Sequence, residues 1–149
     1  MIPKGATICI VLGVVGSCIV GIFFTEIANE APVLVYVQGP SLSVITEKTN
    51  FRLGEPINIK IVNSGTVPLT FSDASYGLKI KQLDGIMLYS PASTQVISVL
   101  ESKEEKTFVW NQIKSDGSKI IEGRYKIVSN TDPISGITLE KSITINILK

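Results

Sequence analysis

The side chains that could perform chemistry are few and scattered along this chain. The carboxylates Asp73, Asp84, Asp116 and Asp132 stand far apart beside turn-forming residues, so no pair is spaced on one element for general acid and base work. Histidine is absent from all 149 residues. That removes the commonest general base, the commonest zinc ligand and a member of most nucleophilic triads. The two cysteines, Cys9 and Cys18, both fall inside an apolar run near the N-terminus. Phosphate-binding Gly-rich loops, metal-ligand spacings and Asn-x-Ser/Thr sequons are missing as well. The expectation is a protein that is not an enzyme, with no catalytic, cofactor-binding or metal residues and no cofactor. The charge balance, 14 basic against 13 acidic residues for a net +1, argues against nucleic acid as a partner.

With chemistry set aside, position becomes the question. Residues 6–24 carry no charge and are almost entirely Ile, Val, Leu, Gly, Phe and Cys. As a helix this run is roughly 28 Å long, close to the ~30 Å hydrocarbon core of a bilayer. Lys4 precedes it and Glu26 and Glu30 follow it, which by the positive-inside bias places the N-terminus in the cytoplasm. The expected organisation is a single-pass N-terminal transmembrane anchor and short acidic stalk over residues 1–31. An extracytoplasmic domain over residues 32–149 follows, tethered to the cell membrane.

Three forms of processing compete with a retained anchor. A secretory signal normally has an apolar region of about 7 to 15 residues and an Ala-x-Ala-like site; this run is longer, and residues 28–31 fit such a site poorly. Val15-Gly16-Ser17-Cys18 resembles a lipobox, yet six further apolar residues follow Cys18 where a polar tether is the rule. Lys4-Gly5-Ala6-Thr7 resembles the cleavage site ahead of the hydrophobic helix in archaeal pilins, which implies a mature chain starting at Ala6.

Beyond residue 31 the pattern turns to short runs of period two, broken by Gly, Pro, Asn, Asp and Ser, which is the punctuation of an all-β domain. Residues 33–37 and 42–46 read together as a broken edge strand. Ile57, Ile59 and Ile61 alternate with polar neighbours up to Asn63-Ser64-Gly65. Further strands are expected at 69–71 and 78–81, then after an Asp84-Gly85 turn at 86–89. Candidates at 96–100 and 107–110, with Phe108 and Trp110 on one face, come next. Asp116-Gly117 marks another turn, and Tyr125 with Ile127, then Ile143, Ile145 and Ile147, complete the alternation. The charged run 101–106 reads as a solvated turn. Seven to nine short strands at this spacing predict an immunoglobulin-like antiparallel β-sandwich. A domain of this size needs no disulfide to bury a core.

Several pieces are similar, in order and spacing, to the BsuPI-like family, named for an intracellular proteinase inhibitor: Phe51-Arg52-Leu53-Gly54-Glu55-Pro56-Ile57, Val62-Asn63-Ser64-Gly65, Leu83-Asp84-Gly85, Trp110-Asn111-Gln112 and Gly123-Arg124-Tyr125. The resemblance covers residues 51–129 and implies an immunoglobulin-like sandwich; the membrane anchor departs from the family's intracellular namesake. Local readings account for the same residues. Leu53-Gly54-Glu55-Pro56 makes a turn with Gly54 at positive φ, Trp110 packs in the core, and the Tyr125 hydroxyl ties down a nearby loop.

The function expected from these features is that of an accessory or structural subunit, a membrane-anchored interaction module docking another membrane or cell-surface protein. Open sheet edges offer the simplest means, with Thr144 on the last strand facing solvent. Two alternatives stand beside it: a protease-binding inhibitor using 72–77 or 130–137 as a rigid loop, and a pilin-like filament subunit.

Overall fold

Alternation of apolar and polar side chains decides which face of each strand turns inward, and in the computed structural model two faces close over one core. The structure describes residues 33–132, 136 and 138–149; the expected anchor over 1–31 lies outside them. Ten strands are present among the described residues: β1 (Leu42–Thr46), β2 (Asn50–Arg52), β3 (Ile57–Asn63), β4 (Leu69–Phe71), β5 (Lys79–Gln82), β6 (Met87–Tyr89), β7 (Ser98–Leu100), β8 (Glu105–Trp110), β9 (Gly123–Asn130) and β10 (Glu140–Leu148). No helix occurs among them.

One sheet has the order β1-β3-β8, the facing sheet β2-β10-β9-β5-β6, and β4 pairs with β7 in a small third sheet. The chain thus contributes its first strand to one layer and crosses at 47–49 to lay β2 on the other. This order, with the first strand divided between the layers, is that of an immunoglobulin-like sandwich. Ile57, Ile59 and Ile61 from β3 meet Tyr125, Ile127, Ile145 and Ile147 from the opposite sheet, and Trp110, Phe51 and Ile80 fill the space around them, all buried.

The strand pattern departs from expectation in several places, beginning with ten strands where seven to nine were expected, β2 being one that was not foreseen. Residues 33–37 form no strand: Val37 donates its N–H to the Ser64 carbonyl at 2.9 Å, but the run has no neighbouring strand to complete a ladder. β-branched composition favours a strand only where a pairing edge exists. The charged run 101–106 is a turn only as far as Glu104, because β8 begins at Glu105. β8 borders its sheet, and an edge strand tolerates charge. The sandwich is also not antiparallel throughout, since β2 pairs with β10 in parallel, Asn50 opposite Asn146 and Arg52 opposite Leu148. A crossover between layers permits this where a hairpin would not.

Strand direction defines two ends. At the first, β3 finishes, β8 and β10 begin, and the chain arrives through Val37. At the second lie the β2–β3 loop, the β5–β6 turn, the long β8–β9 connection and the close of β10.

Candidate functional site

The second end carries a set of large apolar side chains that folding does not bury. Leu53, Leu83, Ile86, Ile113, Ile121 and Leu148 are all exposed there, Ile121 by 73%. Single exposed apolar residues are ordinary on any surface, whereas a contiguous group marks an interaction site. All but Ile86 line shallow grooves. One of about 520 Å³ runs between Leu83 and Ile121, one of about 330 Å³ between Leu53 and Ile113, and a third of about 470 Å³ from Arg124 to Leu148.

Buried polar side chains hold these loops in place. Gln112 is buried, and its amide oxygen accepts the Gly54 N–H at 2.7 Å while its nitrogen donates to the Arg52 and Glu55 carbonyls at 2.8 and 2.9 Å. The amide thus satisfies three backbone groups of the β2–β3 loop, a turn that Gly54 permits at φ +84°. Gln112 itself sits at φ 59°, a conformation unusual for a side chain with a Cβ. The Trp110 indole N–H donates to the Ile113 carbonyl at 2.9 Å, and the Tyr125 hydroxyl donates to the Ile121 carbonyl at 2.7 Å. The last bond is the tie expected of Tyr125, and Trp110 is buried as expected.

Between these pins, the 113–119 segment forms a small hairpin with Ile113 opposite Lys119. Its turn is closed by the Asp116 carboxylate, which accepts the Ser118 N–H at 2.8 Å and the Ser118 hydroxyl at 2.6 Å. The Ser118 hydroxyl, and after it the Ser118 amide, hold the Asp116 carboxyl below the usual aspartate value. The Lys48 ammonium, 2.6 Å from Glu55, likewise lowers the Glu55 carboxyl, helped by the Arg52 amide. Both carboxylates therefore serve turns.

The scattered aspartates do not converge. Asp84 accepts the Ile86 N–H in the β5–β6 turn, and Asp73 accepts the Ser75 N–H and hydroxyl. Among the described residues no three of His, Cys, Asp or Glu group as metal ligands would. The 72–77 segment lies folded onto β9, with Ser75 buried and the Tyr76 carbonyl accepting the Ser129 hydroxyl at 2.7 Å. Residues 133–135 and 137 of the other loop lie outside the described residues. Thr144 is exposed, though the second half of β10 is covered by β2.

Leu53-Gly54-Glu55-Pro56 and Trp110-Asn111-Gln112, remote in the chain, are thus two halves of one contact through Gln112. Sequence reading noticed each piece and missed their meeting. The apolar group was also missed, although Ile113 and Ile121 break the alternation of the strands around them.

No family model matches the chain, and no curated protein does. Among solved structures it is similar to the CARDB domain of the PF1109 protein from Pyrococcus furiosus, determined in complex with di-metal ions. The identity is 16%, over 78% of this chain and 95% of that chain, with a TM-score of 0.43. It is also similar to part of a beta-glucosidase from Listeria innocua in complex with glucose, at 12% identity, covering 74% of this chain but 16% of the enzyme, with a TM-score of 0.37.

Proposed function

We propose that this protein is a membrane-anchored interaction module whose pinned loops dock a protein exposed on the same cell surface. The observation that carries the reading is the combination of apolar exposure with pre-organisation. Leu53, Ile113 and Ile121 stand in solvent on loops whose backbone is fixed by Gln112, Trp110 and Tyr125. A surface already held in one shape loses little conformational entropy on association. Apolar side chains presented on such loops form the centre of an interface.

The occupant in this reading is a protein, because apolar side chains on loops of fixed backbone match the rigid, well-packed centre of a protein–protein interface. The reading is tested by placing a photo-crosslinking residue at Ile121 in the full chain and irradiating native membranes. The expected product is an adduct with one protein that disappears when Leu53→Asp is added. A lipid adduct, or none, overturns the reading.

A further inference from the structure

The near-neutral total charge conceals a separation between the two outer faces. On the β1-β3-β8 sheet the outward cation Lys60 is paired with Glu105 at 3.0 Å, and Glu47 accepts the Asn58 amide at 2.6 Å. The β2-β10-β9-β5-β6 sheet is different. Ile80, Tyr125, Ile127 and Ile145 turn inward, so period two sends Lys79, Lys81, Arg124, Lys126 and Thr144 to the outer face, together with Arg52 from β2.

Register makes the arrangement stronger. Lys81 lies directly opposite Lys126, and Lys126 directly opposite Thr144. Arg124 stands opposite Asn146, whose amide donates to Asn50 at 2.6 Å. Directly opposed positions place Cβ atoms about 5 Å apart, where like charges repel and destabilise the pair. Among the described residues none of Lys79, Lys81, Arg124 or Lys126 forms an ion pair, although Lys79 donates to the Asn130 side-chain oxygen at 3.4 Å and Arg52 has the Glu55 carboxylate in its field. Glu122, just ahead of β9, and Glu140, the first residue of β10, stand at the two ends of the face.

From this we infer that the outer face of the five-stranded sheet is a docking surface for an acidic protein, whose carboxylates supply the counter-charges the sheet lacks. The inference rests on the proposed docking function and names the chemistry of the partner. A sheet face that carries Lys79, Lys81, Arg124 and Lys126 attracts and orients an acidic surface over a Debye length. Its Ser, Thr and Asn side chains add hydrogen bonds without competing charge. Arg52 and Arg124 border the apolar loops, so one partner can cover both.

The test uses the full chain in nanodiscs of neutral phosphatidylcholine, with poly-L-glutamate as the probe. Poly-L-glutamate is expected to bind and to weaken steeply between about 50 mM and about 200 mM salt. Lys81→Gln with Lys126→Gln should weaken it by about fivefold to tenfold, and Lys60→Gln with Lys103→Gln, the latter an exposed lysine in the turn ahead of β8, by less than about twofold. No binding, or equal loss in both pairs, overturns the inference, and so does tighter binding to phosphatidylglycerol vesicles than to poly-L-glutamate. The Ile121 adduct separates the two readings. If it forms in the Lys81→Gln, Lys126→Gln chain as efficiently as in the wild type, the acidic partner is wrong and the loop docking stands. If the wild-type chain forms none, the docking reading itself fails.

Discussion

Each end of the sandwich is closed by one buried amide, and the two amides serve different purposes. At the end where the chain arrives, the Asn63 amide donates to the Val67 and Leu100 carbonyls, both at 2.8 Å, and accepts the Gly65 N–H at 3.0 Å. Ser64 beside it is buried and bonded to Ser41 and Ser43, each at 2.8 Å. The backbones here are so close that a Cβ on Gly65 would lie 2.1 Å from the Gly39 carbonyl oxygen. At the far end, Gln112 likewise satisfies three backbone groups, but the loop it holds carries Leu53 outward. Similar hydrogen-bond chemistry thus locks strands together at one end and presents a surface at the other. A buried amide alone does not reveal which; the side chains on the loop it pins do.

The largest effect is expected from the core that both ends share. Trp110→Ala removes a buried indole and the bond to Ile113, and should cost about 3–5 kcal/mol in chemical denaturation. Both ends should lose amide-exchange protection together; protection retained at either end would show that they are independent units.

The amides themselves come next. Asn63→Ala leaves buried carbonyls without a donor and should cost about 1–3 kcal/mol of global stability. Gln112→Ala should cost less and act locally, raising amide exchange in 52–55 and reducing the Ile121 adduct. Equal global losses from the two variants would erase the distinction between the ends.

Ile121→Asp has a smaller effect on folding. The side chain is largely in solvent, so stability should change by no more than about 0.5 kcal/mol while docking is lost. A large loss of stability would mean that Ile121 is structural.

The smallest effect is electrostatic. Glu55 has its folded-state pKa held below the ordinary 4.5 by Lys48 and Arg52. Its contribution to stability is therefore present above that ordinary value and is lost as pH falls through the lowered one. Comparing Glu55→Gln with the wild type should show a gap at neutral pH that closes in acid. A gap independent of pH would show that packing, not charge, is what Glu55 supplies.

Much of the sandwich was legible because strands with one buried face write their period into the chain. Ile57, Ile59 and Ile61, and Ile145 with Ile147, are the clearest cases, all buried. What escaped was whatever depends on a partner remote in sequence. β2 is three residues long and exists because β10 lies beside it, while 33–37 has a stronger strand composition and no such neighbour. The loop surface was legible in fragments, as turns, and illegible as a site because Gln112 reaches back 58 positions to Gly54. Lys79, Lys81, Arg124 and Lys126 alternate visibly with apolar residues, but only the register of β5 against β9 brings their charges side by side.

The parallel pairing of β2 with β10 also has a mechanical meaning. The chain arrives at one end of the sandwich and β10 leaves toward the other, so a pull between Val37 and Leu148 draws β2 and β10 in opposite directions along their common axis. The bonds from Leu53 N–H to the Leu148 carbonyl and from Asn146 N–H to the Thr49 carbonyl, both 2.8 Å, are then stretched sideways and at the same time, instead of opening one after another like a zipper. Tension applied between Val37 and Leu148 therefore meets the strands in the direction in which they resist it together.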